Sequence, residues 1–215
     1  MDDEQRRMLG SASAPRRATA KDAAVLAKLF TRAFLADPVM DWIARLGPGR
    51  ASGMEAFFLR FLDQRMIPLG EVWMRDDGAV AAIWVPPGIP AWPTGVVEQL
   101  RVLPLFLRLC GFARMARGAA MSGVMEKAHP HEPHFYLFFI AVDPSFQGKG
   151  LGSTMLDANL NHIDAANMPA YLENSNLRNT RLYARAGFEA RANISPAGAP
   201  SLIPMWRPAG DKSER

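Results

Sequence analysis

The sequence predicts an α/β fold, in which helices flank a mixed, strongly twisted central sheet of about six to seven strands. Three observations lead to this prediction. Segments with apolar residues at helical spacing alternate with short β-rich runs along the chain. Residues 135–142 form a continuous apolar run, which is typical of a strand buried on both faces. Directly after that run, a glycine-dense stretch opens a helix.

The first half of the chain supplies a strand, two helices and a hairpin. We predict the strand at residues 16–19, the first helix at 21–36 and the hairpin strands at 71–75 and 79–85. The second helix includes residues 54–62 and ends before Pro68. Pro38 and Pro68 bound the two helices, because proline lacks a backbone donor and clashes with the preceding turn. The hairpin is predicted because Asp76-Asp77-Gly78, a turn sequence, joins two β-rich runs.

Residues 90–128 predict a helical insertion before the central strand. Its most apolar part, residues 102–112, is far shorter than the ~20 residues that a membrane-spanning helix requires. We therefore expect no integral membrane association. The insertion would cover the hydrophobic core of the domain or, alternatively, bind to a membrane surface. In the covering arrangement the insertion lies near the acceptor site and its arginines face solvent, namely Arg101, Arg108, Arg114 and Arg117.

The second half of the chain follows the central strand and the glycine-dense stretch. Its elements are predicted as helix, strand, helix and two closing strands, at residues 151–167, 170–173, 177–186, 188–194 and 202–206. We expect one domain over residues 16–215, preceded by a disordered tail over residues 1–15.

Composition narrows the class of protein. The 215 residues suffice for one core of ordinary size. The net charge of +4 comes from scattered basic residues, which argues against a nucleic-acid partner. The single cysteine, Cys110, excludes an intramolecular disulfide and fits a reducing compartment. Because the first residues also lack the apolar core of a signal peptide, we expect a cytoplasmic protein.

Residues 147–153, the glycine turn, predict an anion-binding site. Gly148, Gly150 and Gly152 let a ligand approach the backbone, and the first amides of the following helix have no intrahelical partners. Those amides, the helix dipole and Lys149 would attract a pyrophosphate. The P-loop pattern fails because no hydroxyl residue follows Lys149, and the dinucleotide-binding pattern fails because its third glycine comes one residue early.

The spacing that fits is Gln-x-x-Gly-x-Gly, formed by Gln147, Gly150 and Gly152. It resembles the acyl-CoA site of the GNAT superfamily of N-acetyltransferases. Residues 171–188 are similar to the second signature of that superfamily, a strand followed by a short helix with Asn and Tyr and then Gly-Phe. The resemblance implies the GNAT fold and the use of acetyl-CoA without a metal.

Within the superfamily, the chain looks like the puromycin N-acetyltransferases. The likeness includes the helix start at residues 17–22, the hairpin, the glycine turn and the Leu-Glu-x-Ser-x-x-Arg-Asn run at residues 172–179. It extends from about residue 16 and is weakest over residues 86–134, the part expected to shape the acceptor pocket. The resemblance therefore implies the fold and acetyl-CoA, and does not imply puromycin as the substrate.

The resemblance also implies how acetyl-CoA is held. The backbone of a bulged central strand would pair with the pantetheine arm, the glycine turn would hold the pyrophosphate, and an asparagine amide would bond the cofactor. The corresponding residues are Ile140, Ala141, Val142, Gln147, Gly148, Lys149, Gly150, Leu151, Gly152, Ser153 and Asn179.

Acyl transfer from a thioester requires a positioned amine, a route for its proton, and a donor to the departing thiolate. Tyr183 is the candidate acid, because a phenol is protonated at neutral pH and the resemblance assigns it to the cofactor side. Asn179 lies one helical turn before it. Glu173 is the candidate base, either directly or through water, with an exposed structural carboxylate or a helix cap as the alternatives.

Three other groups of residues have weaker functional interpretations. Cys110 lies outside both signatures and is expected to be a buried small side chain, not a nucleophile. His129, His131, Glu132 and His134 are expected in a solvated loop or at the acceptor pocket, because interleaved prolines disfavour a metal site. Four tryptophans would supply either core packing or an aromatic wall for the acceptor, namely Trp42, Trp73, Trp84 and Trp92.

The sequence therefore predicts an acetyl-CoA-dependent N-acetyltransferase that acts directly on a primary amine of a small molecule. A non-catalytic acyl-CoA-binding or regulatory module is one alternative, and an N-acetyltransferase of proteins or peptides is another. The identity of the amine stays open, as does the choice between a monomer and a homodimer.

Overall fold

The structure is a computed structural model that describes residues 9–90 and 95–210. Its strands form a single seven-stranded sheet. In chain order the strands are β1 (Arg16–Arg17), β2 (Glu71–Met74), β3 (Val80–Val85), β4 (Phe135–Val142), β5 (Ala170–Asn174), β6 (Glu189–Ala190) and β7 (Ile203–Arg207). The predicted α/β class and mixed sheet are confirmed.

Six α-helices of six residues or more lie within the described ranges. They are α1 (Ala23–Phe34), α2 (Pro38–Ile43), α3 (Arg50–Phe61), α4 (Val96–Ala128), α5 (Leu151–Ala165) and α6 (Thr180–Arg185). A π-helical turn (Leu62–Met66) and a short segment (Ile67–Leu69) extend α3, so this helix passes Pro68 instead of ending before it. Helix α2 was not predicted from the sequence. Asp37 caps its start by accepting hydrogen bonds from the amides of Val39 and Met40.

The strand order is β1-β2-β3-β4-β5-β7-β6, and only the β4–β5 pair is parallel. That pair is short: its register ends at Leu137 opposite Leu172, although β4 continues to Val142. Opposite β3, the register of β4 shifts by one residue between Trp84 and Ile83, which is a β-bulge. β4 and β5 therefore separate halfway along the sheet, and a gap opens between them.

Two hydrophobic clusters cover the two faces of the sheet. Along β3 the side chains alternate between them, with Ala81 and Ile83 on the face of α1, α3 and α4, and Ala82 and Trp84 on the face of α5. Both faces are buried, which explains why β3 and β4 are almost wholly apolar.

The long insertion helix α4 is bent at Gly111, whose φ of 63° and ψ of 168° are not helical. The break frees the carbonyl of Leu109, which accepts from the backbone N–H of Arg45 at 2.8 Å. Arg114 was expected to face solvent, but its Nη1 donates to the carbonyls of Asp41 and Ala44 and holds α4 against the end of α2. No helix in the described ranges is long and apolar enough to cross a membrane.

The segment before β1 is ordered where it is described. Residues 9–12 are helical, and Ala12 is fully buried in the cluster on the α5 face. The predicted disordered tail over residues 1–15 includes this segment, in which Ala12 packs against the sheet. Residues 1–8 lie outside the described ranges.

Candidate active site

One large cavity opens where β4 and β5 separate. Its volume is about 1220 Å³, and it extends from the glycine turn and α6 on one side to α3 and α4 on the other. All but one of the predicted site residues line it, namely Ile140, Ala141, Val142, Gln147, Gly148, Gly150, Leu151, Gly152, Ser153, Glu173, Asn179 and Tyr183. The exception is Lys149, whose Nζ lies 5.3 Å from the ring centroid of Phe146.

The glycine turn has the backbone geometry that an anion site needs. Asp143 starts it by accepting from the amide of Ser145, and Gln147 closes it by donating Nε2 to the carbonyl of Val142 at 3.1 Å. Gly150 is the N-cap of α5 with a φ of 90°, a value that side chains with a Cβ rarely adopt. The N-terminal amides of α5 are thus directed at the cavity without a side-chain cap.

The part of β4 that follows the bulge faces the gap. Ile140, Ala141 and Val142 pair with β3 on one side, whereas the pairing with β5 has already ended at Leu137. The backbone groups of this stretch that point away from β3 face the cavity rather than a neighbouring strand. An extended, amide-bearing ligand arm would fit here as an additional strand.

Tyr183 is buried on α6 and lines the cavity. Its ring meets Phe188 edge-on at 6.2 Å between centroids. Burial, and secondarily the negative charge of Asp37, raises the pKa of Tyr183 well above its ordinary value. The phenol is therefore a permanent hydrogen donor at physiological pH, and Asn179 lies one helical turn before it on the same cavity wall.

Asp37, which was not predicted as a site residue, is a second buried carboxylate that lines the cavity. Its Oδ2 accepts from the Ser175 hydroxyl at 2.5 Å, and its Oδ1 caps α2. Burial raises the pKa of Asp37, and these hydrogen bonds partly oppose the increase. Asp37-Pro38 was recognised only as a helix boundary, because nothing local in the sequence shows that Ser175 lies beside it.

Glu173 lies on β5 at the cavity wall, with a side chain only 2% exposed. Its Oε2 accepts from the hydroxyl of Tyr136 at 2.5 Å. Burial, followed by the charge of Glu173, raises the pKa of Tyr136 well above its ordinary value, so this phenol donates and does not ionise. Glu173 is thus a buried carboxylate held by one strong hydrogen bond, not an exposed one.

The histidines divide into two groups. His129 and His134 pack together beside Glu173 with ring centroids 4.8 Å apart, whereas His131 is exposed. The Nδ1 of His134 lies 2.6 Å from the carbonyl oxygen of Glu132, and burial lowers the pKa of His134. No group of three metal-ligating side chains occurs in the part of the chain that the structure describes.

An aromatic wall exists, but phenylalanines form it. Trp84 is core, with its indole N–H bonded to Asn159, and neither Trp42 nor Trp73 lines the cavity. Trp92 lies outside the described ranges. The side of the cavity between α1, α3, α4 and β4 is instead lined by Phe34, Phe57, Phe61, Phe106, Phe138 and Phe139.

Comparison with known proteins assigns this fold and glycine turn to a family. The profile of the acetyltransferase (GNAT) family matches residues 49–188, which is more than half of the chain. The chain belongs to the GNAT family. This GNAT chain is also similar to curated relatives named mycothiol acetyltransferase. The one from Thermomonospora curvata is 30% identical over 119 residues, which is 54% of this chain and 39% of the relative.

A second mycothiol acetyltransferase, from Propionibacterium freudenreichii, is 39% identical over 59 residues, which is 26% of this GNAT chain and 19% of the relative. The chain thus spans less than half the length of these relatives. The finer likeness to puromycin N-acetyltransferases is not confirmed by these matches.

Solved structures support the GNAT fold over nearly the whole chain. One is described as histone acetyltransferase HPA2 and related acetyltransferase, from Corynebacterium glutamicum; it has a TM-score of 0.69 and 24% identity, and the alignment covers 93% of this chain and 97% of that one. Another is arylalkylamine N-acetyltransferase 2 from Aedes aegypti, with a TM-score of 0.62, 14% identity, and coverage of 91% and 98%. At these identities the likeness shows the fold alone.

Proposed function

We propose that this chain transfers the acetyl group of acetyl-CoA directly to the primary amine of a small, ring-bearing or otherwise apolar molecule. One observation supports the proposal above all others. A single cavity is lined by the glycine turn, by the protonated phenol of Tyr183 and by the buried carboxylate of Glu173. These are the groups that transfer from a thioester to an amine needs.

The division of labour follows from the positions of these groups. The α5 amides and the glycine turn would hold the pyrophosphate, and the backbone of Ile140 to Val142 would pair with the pantetheine arm. Acetyl-CoA supplies an activated acyl group. Tyr183 would donate its hydrogen bond to the sulfur as the thiolate leaves, and Glu173 would accept the proton that the amine loses.

The charge pattern supports an amine acceptor. Asp37 and Glu173 are both buried carboxylates at the cavity wall, and a protonated amine entering the cavity would be attracted to them. Once bound, the amine must lose a proton to become a nucleophile, which is the step assigned to Glu173. Asp37 already accepts hydrogen bonds on both oxygens and is better suited to attract the cation than to remove its proton.

The phenylalanine wall supports a ring-bearing acceptor. Phe57 meets Phe106 edge-on at 6.0 Å and Phe61 in a stacked arrangement at 5.4 Å, so the wall already presents aromatic edges and faces. A further ring in the cavity would gain about 0.5–1.5 kcal/mol per well-placed aromatic pair beyond the burial of its area. A polyamine of similar length would gain none of this.

The test follows free thiol release from acetyl-CoA with matched amines. We expect 2-phenylethylamine to be used with a higher kcat/KM than butylamine or putrescine, and puromycin belongs on the panel because of the resemblance at residues 172–179. Amine-independent thiol release, or cofactor binding with no turnover on any small amine, would contradict the proposal. Turnover only with peptides would favour the protein acetyltransferase alternative.

Two variants on α4 test the aromatic wall. Phe106→Leu should reduce the preference for 2-phenylethylamine over butylamine by about twofold to tenfold, since it removes one aromatic pair. Phe112→Leu is the matched control, because Phe112 is 89% exposed on the same helix and does not line the cavity. If both variants keep the wild-type preference, the wall does not select the acceptor.

Glu173→Gln tests the base. The substitution keeps the size and an acceptor oxygen for the Tyr136 hydroxyl but cannot take a proton. We expect kcat to fall about 10²-fold or more, with little change in the KM for acetyl-CoA. Unchanged turnover with an unchanged pH profile would remove Glu173 from the mechanism.

We also propose a cytoplasmic location, which suits a single, buried free thiol.

A further inference from the structure

The buried side of Glu173 holds a second feature that the proposed mechanism does not use. Its Oε1 is buried and makes no close hydrogen bond within the described ranges, and neither does the Nδ1 of His129. The hydroxyl of Tyr171, which also interacts with Glu173, is likewise buried without a close partner. The Oε1 of Glu173 and the Nδ1 of His129 lie 4.0 Å apart. Buried carboxylate oxygens and imidazole nitrogens are rarely without hydrogen-bond partners, because the free energy of their desolvation is then not compensated.

His129 connects this buried pair to the outside. Its Nδ1 is inaccessible to solvent, yet its side chain is 26% exposed, so the accessible part of the ring is a different edge. His129 does not line the cavity, whereas Glu173 and Tyr136 do. Glu173 therefore stands between the cavity and an imidazole that reaches solvent on the far side.

The surroundings hold the His129 ring in this orientation. Tyr136 and Tyr171 meet it edge-on at 4.9 and 5.2 Å between centroids, and His134 lies on a third side. The backbone N–H of His129 caps the end of α4 by donating to the carbonyl of Glu126. The end of the insertion helix α4 thus places the His129 imidazole beside Glu173, on the side away from the cavity.

We infer that His129 carries protons from Glu173 to solvent during each turnover, which makes it a positioning and relay residue for the proposed transfer. The amine N–H proton goes to Glu173. The Oε1–H of Glu173 then passes it to the Nδ1 of neutral His129, through a small side-chain movement or one water across the 4.0 Å gap. The Nε2–H of the imidazolium then goes to solvent, which leaves the Nδ1–H tautomer. Between turnovers a transient outward rotation of the ring lets solvent take the Nδ1 proton and return one to Nε2, so that charge, protons and tautomer are restored.

The groups facing His129 are compatible with this role. Besides Glu173, they are the phenols of Tyr136 and Tyr171 and the imidazole of His134; burial raises the pKa of both phenols and lowers the pKa of His134. All three are therefore neutral near pH 7. Arg191 acts on Tyr171 and His134 from the other side and disfavours a second positive charge there. His129 is thus left as the group between Glu173 and solvent that can take a proton.

The inference rests on the proposed function, so amine-dependent thiol release by the wild-type protein is measured first. His129→Gln should lower kcat about tenfold to hundredfold, leave the KM for acetyl-CoA within about twofold, and alter the pH profile of kcat. His131→Gln, an exposed histidine of the same loop, is the control and should match the wild type. If the wild-type protein releases no thiol, the proposed function itself is contradicted, and not only the relay.

Two further measurements separate a relay from a packing role. Imidazole in the buffer should restore much of the kcat of His129→Ala, because a mobile base can replace the missing ring. The double variant His129→Gln/Glu173→Gln should be no slower than Glu173→Gln alone, since both residues act on one proton path. A wild-type pH profile for His129→Gln would overturn the relay, and so would strictly additive losses without rescue.

Discussion

Replacing Tyr183 with phenylalanine separates the packing of the ring from the chemistry of its hydroxyl. The ring contact with Phe188 at 6.2 Å between centroids is retained, and no cavity is created in the core. Within the described residues, the hydroxyl makes no hydrogen bond to protein. Its removal should therefore leave the free energy of unfolding unchanged or raise it by up to about 1 kcal/mol. For a chain of this size, that corresponds to a Tm shift of at most about 2–4 °C.

Activity should respond very differently. Loss of a donor to the departing thiolate should lower kcat by about 10²–10⁴-fold, which corresponds to about 3–5 kcal/mol of barrier. The assay is amine-dependent thiol release beside a thermal melt of the same preparation. Phe188→Leu is the control, because it loses the ring contact and about 1 kcal/mol of stability but keeps the phenol. If Tyr183→Phe keeps kcat within about twofold of wild type, Tyr183 is a core aromatic and the assigned acid is wrong.

Three further predictions concern other parts of the chain. Gly150→Ala should raise the KM for acetyl-CoA and cost about 1–2 kcal/mol of stability, because its φ of 90° is strained for alanine, whereas Gly123→Ala, at an open helical position, should stabilise slightly. Cys110→Ala should retain activity, and wild-type Cys110 should resist iodoacetamide at pH 8, because burial raises the pKa of the thiol to about 11. Asp22→Asn should lower the Tm at pH 7, and melts at successively lower pH should show this loss shrink only below pH 3.8, the unfolded value. The reason is that hydrogen bonds from Arg16 lower the pKa of Asp22 in the folded state, so its contribution is complete above the unfolded value and disappears as the pH falls to the folded value.

Local sequence patterns predicted most elements of the fold. The bounds of β4 were predicted correctly from its unbroken apolar run, and the β2–β3 hairpin was predicted from its turn sequence. The first closing strand was overestimated, because β6 has two residues and the Ile194–Leu202 pairing is an isolated bridge, whereas β7 lies within one residue of its predicted bounds. Neither departure from regular pairing is visible locally, because strand length depends on which neighbour a segment meets.

Only part of the candidate site could be predicted from the sequence. The glycine turn and Tyr183 sit in local motifs, and the structure brings them to one cavity. The Asp37–Ser175 pair spans 138 positions, and no motif in the chain links its members. Likewise, His129 reaches Glu173 only because α4 ends beside β5. Such meetings depend on how the helices pack on the sheet, and residue patterns do not encode that packing one segment at a time.

The early end of the β4–β5 pairing gives this protein a sheet edge in its interior. Edges normally lie at the periphery, where they invite association with other chains. Here the edge lines the cavity between α1, α3, α4 and α6, where an extended ligand can reach it. Such a guest would join the two halves of the sheet, and at 100 times its Kd it would add about 2.7 kcal/mol to the stability of the native state. Amide exchange in Ile140 to Val142 should slow when acetyl-CoA is added, and exchange that stays unchanged would mean that the two halves of the sheet remain unbridged.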